Sequence, residues 1–209
     1  MYVMKDLSII PLFSKVLFTT ILSLTDKQKK DIISIMENES FRSANNNSEI
    51  SLNLNILKSN KLKFLKKEIM SCFNDFVNDT LSFKNNKFKI TNSWITKVGQ
   101  NNLGHSHNHG NSFYSGVFYV DVNNETGKIT FINVNKSAFE LKPNEYNNLN
   151  SPKWSIQPKN NQVIFFPSEV YHQVEENKSN STRYSLAFNI MPVGKIGVED
   201  SSMDIKIND

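Results

Sequence analysis

Three of the four histidines in this 209-residue chain fall in one run, His105-Ser106-His107-Asn108-His109. The fourth, His172, follows the apolar segment Val163-Ile164-Phe165-Phe166. Neutral imidazole is the commonest protein ligand for a transition metal. Residues i and i+2 of an extended chain point to one face, so His107 and His109 can converge on a single ion while Asn108 points away. His105 continues the same parity and is a further candidate. His172 is expected just after a turn at Pro167, at the start of a strand, where a ligand is held more rigidly than on a loop tip. Eleven residues later comes Arg183, one of only two arginines in a chain that carries its positive charge on lysine. The alternation Arg183-Tyr-Ser-Leu-Ala-Phe-Asn189 puts Arg183, Ser185, Ala187 and Asn189 on one strand face and the apolar residues on the other. A guanidinium half-buried there needs an anionic partner. Either an acidic side chain or a bound carboxylate gripped by its two-pronged fork would serve.

The elements that must position these groups change character near residue 86. Before it, the pattern is helical. Thr25-Asp26 can cap a helix through Met36 with Ile32, Ile33 and Met36 on its apolar stripe. A polar Asn- and Ser-rich loop is expected over 38–48. A long amphipathic helix is expected over 50–83, from Leu54, Leu57, Leu62, Leu65, Ile69, Phe73, Phe76 and Val77 at three- and four-residue steps. Beyond it, short β-branched and aromatic runs predict strands over 88–98, 113–122, 128–133, 162–166, 170–173 and 183–191, separated by Asn, Gly, Pro and Ser clusters. The expected fold is mainly β with N-terminal helices: an antiparallel barrel or jelly roll backed by helices. We expect one domain over 1–193, with 1–86 as mostly helical support, 87–193 as the β core, and 194–209 as a polar tail.

Composition narrows the partners. The net charge of +4 is mild, and lysines alternate with acids, so no basic face marks a nucleic-acid binder. The run Lys58 to Lys67 fits the wet side of a helix. No apolar stretch reaches the roughly 18 residues of a membrane span. Residues 9–24 come nearest but are broken by Pro11, Ser14 and Lys15, lack a following cleavage site, and are expected to form a strand plus a connection. The single Cys72 permits no internal disulfide and suits a reducing compartment, expected to be the cytoplasm.

Taken together, His107-Asn-His109-Gly-Asn-Ser-Phe-Tyr-Ser115-Gly116-Val117-Phe118-Tyr119, the later Phe166-Pro167-Ser168…His172…Arg183-Tyr-Ser185-Leu-Ala-Phe-Asn189, Trp94 and Gly127-Lys-Ile-Thr-Phe131 resemble the 2-oxoglutarate- and Fe(II)-dependent oxygenases. The nearest resemblance is to an oxygenase family found in bacteria and phages, and it covers about 88–192. It implies a double-stranded β-helix, a cupin-like jelly roll, with iron at its mouth. His107 and His172 would be metal ligands. His109 would stand where the superfamily usually has an aspartate or glutamate, a departure from the 2-His-1-carboxylate triad that removes one negative charge. Arg183 would take the distal carboxylate of 2-oxoglutarate, with Ser185 and Asn189 on the same cofactor face. The reaction implied is oxidation of a substrate by O2, with 2-oxoglutarate converted to succinate and CO2. Trp94, Tyr114, Phe118 and Tyr119 are candidate pocket walls.

Two other readings fit the residues. A three-histidine cupin-type dioxygenase would use no 2-oxoglutarate and would not need Arg183. A non-catalytic jelly-roll module would hold its metal passively. Neither the substrate nor the oligomeric state is legible in the sequence.

Overall fold

The two longest runs of alternating residues, β4 (Lys87–Val98) and β10 (Arg183–Ile196), pair antiparallel along their lengths and form the spine of the molecule. The computed structural model describes residues 10, 12–45, 48–83, 85–135 and 139–207. In chain order the remaining elements are β1 (Phe18–Ile21), α1 (Asp26–Asn38), β2 (Phe41–Ser43), β3 (Ser48–Ser51), α2 (Lys63–Asp79), β5 (Tyr114–Phe118), β6 (Ile129–Ile132), β7 (Lys153–Ile156), β8 (Gln162–Pro167), β9 (Tyr171–Val174) and β11 (Met203–Ile205). One sheet runs β1-β8-β5-β10-β4-β3-β2, with β11 also on β10; a second, smaller sheet runs β7-β6-β9. Every pairing between named strands is antiparallel. This is the mainly β, helix-backed jelly roll expected from the sequence.

Strand alternation divides the side chains of the larger sheet into two cores. Tyr114 and Phe118 of β5, Val163 and Phe165 of β8, and Leu186, Phe188 and Ile190 of β10 face outward. They pack against Ile32 and Met36 of α1 and Leu65, Ile69, Phe73, Phe76 and Val77 of α2. Phe73 lies 5.5 Å from Phe165 and 5.6 Å from Tyr114, centroid to centroid. Burial of each such ring stabilises the fold by about 1.5–3 kcal/mol, so the helices hold the back of the sheet rigidly. The opposite parity, Val117, Tyr119, Ile164 and Phe166, faces the smaller sheet and packs with its Ile129 and Phe131. Of the candidate pocket walls, Tyr114 and Phe118 therefore belong to the helix-side core, the commoner place for single aromatic residues.

The front of the chain departs furthest from its sequence pattern. Helix α1 forms as expected, closed by a Thr25–Gln28 capping box. The expected helix over 50–83 is α2 only from Lys63. Upstream, Leu57 and Leu62 are buried but lie on 3₁₀ turns. Here serine and asparagine side chains bind backbone groups that a helix would use. Ser51 Oγ donates to the Asn53 carbonyl at 2.7 Å and accepts from the Ile95 N–H at 3.0 Å, and Ser93 Oγ accepts from the Leu57 N–H at 2.8 Å. The expected 38–48 loop instead contributes β2 and begins β3, an antiparallel pair that extends the larger sheet. With β1 also in that sheet, residues 1–86 are more than helical support. Strand β7, which pairs with β6, is not among the strands expected from the sequence. The polar tail also acquires structure, because β10 runs on to Ile196 and β11 folds back onto it. Among the described residues no helix is long and apolar enough to cross a membrane.

One close approach joins the smaller sheet to the rest of the chain. A Cβ on Gly127 would lie 2.0 Å from the Glu175 carbonyl oxygen, so only glycine lets the segment before β6 sit against the segment after β9.

Candidate metal centre and carboxylate pocket

The His105–His109 segment lies against the start of β9 and the end of β8. His107 and His172 exchange both backbone hydrogen bonds, at 3.0 and 2.9 Å, and the His109 N–H donates to the Ser168 carbonyl at 2.9 Å. This ladder brings together three side chains from distant parts of the sequence. Ring centroids are 5.2 Å apart for His107 and His109, 4.4 Å for His107 and His172, and 5.1 Å for His109 and His172. One nitrogen from each lies within 4.8 Å of the others. Phe166 and Phe131 wall the cluster on one side, at 4.6 and 6.2 Å from the His172 ring. Trp94, half-buried on β4, lies 5.4 Å from the His109 ring.

The hydrogen bonds of the three rings say which nitrogens are free. His107 Nδ1 lies 3.0 Å from the His105 carbonyl, His172 Nδ1 lies 3.1 Å from the Val170 carbonyl, and His109 Nδ1 lies 2.7 Å from Asn189 Oδ1. A carbonyl oxygen only accepts, so each Nδ1 carries the proton and each Nε2 presents a lone pair. His109 Nε2 and His107 Nε2 then face each other at 3.2 Å. Two lone pairs at that separation repel unless a cation lies between them, so the donor set fits a metal ion. His105 contributes its carbonyl, not its ring: the ring stacks on His107 at 4.5 Å and lies outside the cluster.

Burial lowers the pKa of all three rings below the usual histidine range and keeps them neutral, as ligands must be. For His172 burial, followed by the neighbouring His107, pushes the pKa down to about 3. The unfolded chain takes up that proton near pH 6.5 and the folded chain does not. Metal-free protein is therefore expected to lose stability as the pH falls from about 6.5 toward 3, with His172 contributing up to about 1.4 kcal/mol per pH unit. Urea midpoints of chelator-treated protein at stepped pH check this. His172→Asn should make the decline shallower, and an unchanged slope would contradict the assignment.

Arg183 lies on the inward face of β10, only 2% exposed. Its Nη1 donates to Ser185 Oγ and its Nη2 to the Tyr119 hydroxyl, each at 3.2 Å. Its Nε has no partner, and none of the ion pairs formed by described residues involves it. Of the two partners its strand position allows, no acidic side chain is present among the described residues, and the group is buried without a counter-ion among them. Burial pulls its pKa down, with Tyr119 opposing.

Sequence reasoning placed Ser185 beside Arg183 and the structure does too. Asn189, on the same face of β10, touches His109. Tyr119, weighed only as a pocket wall, is a hydrogen-bond partner of Arg183. Ser115 and Ser168 were not singled out, although both stand in the quoted motifs. Ser115 is on an inward-facing strand position and Ser168 directly follows β8, and these placements are the signal that marks them.

Residues 92–189 match the family described as "Putative 2OG-Fe(II) oxygenase". No curated protein matches the chain in sequence. Several solved structures share the fold. An oxidoreductase of the 2OG-Fe(II) oxygenase family from Burkholderia pseudomallei has a TM-score of 0.57 at 12% identity, over 82% of this chain and 83% of that one. HygX from Streptomyces hygroscopicus, solved with nickel, 2-oxoglutarate and hygromycin B, has a TM-score of 0.59 at 11% identity, over 83% and 82%. A prolyl-4-hydroxylase from Pseudomonas putida has a TM-score of 0.58 at 12% identity, over 85% and 94%. Residues 92–189, just under half of the chain, are thus similar to the 2-oxoglutarate- and Fe(II)-dependent oxygenases in sequence, and the solved structures share the fold.

Proposed function

We propose that this protein is a dioxygenase that oxidises, by hydroxylation, an organic substrate at the expense of O2 and 2-oxoglutarate, releasing succinate and CO2. His107, His109 and His172 hold Fe(II). Arg183 and Ser185 bind the distal carboxylate of 2-oxoglutarate. One oxygenase domain spans 1–193, and the lone Cys72 supports a reducing compartment, the cytoplasm.

The observation that carries this reading is the buried guanidinium of Arg183, with its Nε unpartnered and no counter-ion among the described residues. An isolated buried charge is strongly unfavourable, and a bidentate carboxylate is the ligand its fork fits best. Ser185 and Tyr119 orient the guanidinium from two sides. Val117, Ile129, Phe131, Ile164 and Phe166 form an apolar lining that excludes water from the interior between the sheets, which strengthens the charge contact. Trp94 borders the His109 side of the site and would contact an incoming substrate. When bound, Fe(II) would supply the redox chemistry by which O2 and 2-oxoglutarate oxidise the substrate. Three neutral imidazoles offer the ion one negative charge fewer than a site with a carboxylate ligand, so Fe(II) retention is expected to depend closely on ring orientation.

The test is succinate formation by purified protein loaded anaerobically with Fe(II) and then aerated. Slow succinate release even without substrate is expected, and only when Fe(II), 2-oxoglutarate and O2 are all present. Oxygen consumption that is indifferent to 2-oxoglutarate would instead identify a three-histidine dioxygenase. No oxygen consumption under any condition would identify a passive metal-binding module.

A further inference from the structure

His109 is set apart from the other two rings by what holds its Nδ1. His107 and His172 each use a backbone carbonyl of their own segment. His109 instead reaches a cluster of side chains on three adjacent strands. Ser115 on β5 and Ser168 after β8 are 0% exposed, and Asn189 on β10 is 9% exposed. The strand register fixes their neighbourhood, since Ser115 pairs with Asn189 on one side and with Phe166 on the other. Ser115 Oγ is 2.8 Å from His109 Nδ1, 2.8 Å from Ser168 Oγ and 2.8 Å from Asn189 Oδ1.

Counting protons orders this cluster. The amide oxygen of Asn189 can accept two hydrogen bonds and donate none. It takes one from His109 Nδ1–H, at 2.7 Å, and one from the Ser115 hydroxyl. With its only proton used, Ser115 Oγ accepts from the Ser168 hydroxyl. All donors are then aligned as Ser168 to Ser115 to Asn189, with His109 donating into the same oxygen. In the opposite arrangement, with Ser115 donating to Nδ1, the proton of the ring would move to Nε2, the atom that faces His107.

We infer that Ser168, Ser115 and Asn189 form a positioning relay that keeps His109 in the Nδ1-protonated tautomer and aims its Nε2 lone pair at the metal. The inference rests on His109 being a metal ligand. The three residues act through His109 and touch neither metal nor substrate. Outer partners of this kind typically contribute ten- to a hundredfold to metal affinity. The relay also makes Asn189 more than a point on the cofactor face: it ties the metal centre to the same strand that carries Arg183 and Ser185.

Two measurements test it on full-length protein. The first is nitrogen-15 NMR of histidine-labelled, metal-free protein, in which His109 should show protonated Nδ1 and unprotonated Nε2; the Nε2-protonated tautomer would overturn the relay. The second is calorimetric titration with Co(II). Asn189→Leu should weaken Co(II) binding about ten- to a hundredfold, Ser115→Ala by less, and Asn189→Asp, which keeps the acceptor, should restore it. Binding by a folded Asn189→Leu protein within twofold of the parent would overturn the relay. If a variant does not fold, the tautomer of the parent still decides the question. If the parent binds no Co(II), the reading of His109 as a ligand fails, and the relay fails with it whichever tautomer is found.

Discussion

Arg183→Met is expected to lose 2-oxoglutarate binding while the stability of the metal-free protein changes by no more than about 2 kcal/mol. The two effects have one cause. The parent buries a cation whose polar neighbours, Ser185 and Tyr119, are neutral. Removing a buried charge and filling its volume with an apolar side chain is often neutral or stabilising by about 1–4 kcal/mol. Against this stands the loss of a hydrogen-bond partner for the Tyr119 and Ser185 hydroxyls, about 1 kcal/mol or more each. With the cosubstrate, the balance reverses. Two charge-assisted hydrogen bonds to a carboxylate are worth roughly 1.5–3 kcal/mol each, so affinity should fall by about a hundred- to ten-thousandfold. Thermal melts of Ni(II)-loaded protein with and without 2-oxoglutarate would show both effects. The parent should be stabilised by the ligand, by about 2.7 kcal/mol at a hundred times its dissociation constant, and the variant should not. Arg183→Lys keeps the charge but not the planar fork and should fall between them. A variant that is less stable than the parent by more than about 2 kcal/mol in the absence of ligand, or equally responsive to ligand, would contradict this account of the pocket.

His172→Ala is expected to abolish Fe(II)-dependent succinate formation and to weaken metal binding by more than about a hundredfold, since loss of even an outer partner weakens it ten- to a hundredfold. His172 is the ring that joins the two halves of the site. It comes from β9, on the smaller sheet, while His107 and His109 come from the segment that precedes β5. Without it, two imidazoles remain on one short stretch of chain. The backbone ladder between residues 107 and 172 does not use the side chain, so the protein should still fold, and the burial of an uncharged ring argues that apolar packing is the main loss. Equilibrium dialysis against Fe(II) under anaerobic conditions gives the affinity, and circular dichroism reports the fold. Retention of metal at parental affinity would remove His172 from the ligand set.

How much of this is written in the chain depends on the range of the interactions involved. β4, β8 and β10 are long runs with a clear inward and outward face, and their alternation alone places Arg183 and Ser185 together and turns Leu186 and Phe188 toward the helices. The i, i+2 spacing of His107 and His109 likewise carries its geometric meaning locally. What was not legible depends on tertiary pairing. β2, β3 and β7 are three or four residues long and acquire strand geometry from their neighbours. The start of α2 is delayed by serine side chains that find backbone partners thirty or more residues away, as Ser93 does with Leu57 and Ser51 with Ile95. The same holds inside the site. Asn189 was read on the cofactor face because it shares parity with Arg183 and Ser185, yet which inward-facing residue meets it follows from the β5–β10 register and from where the His109 loop lands. Ser115 and Ser168 gave no compositional signal because a serine in an apolar strand is common; only the structure shows that both hydroxyls are fully buried and converge on one ring.

The measurement that tests the central claim most directly is an anaerobic titration of metal-free protein with Fe(II) followed by 2-oxoglutarate, monitored by visible absorption. A keto acid chelated to Fe(II) in a protein site gives a weak charge-transfer band. The parent is predicted to develop that band with one equivalent each of metal and keto acid, as expected for one cluster of three converging imidazoles and one buried guanidinium whose Nε has no partner. Arg183→Met should require far more 2-oxoglutarate to reach it, and His172→Ala should not reach it at all. Fe(II) binding by the parent with no band at saturating 2-oxoglutarate would contradict the assignment of Arg183 and leave a three-histidine dioxygenase as the better description.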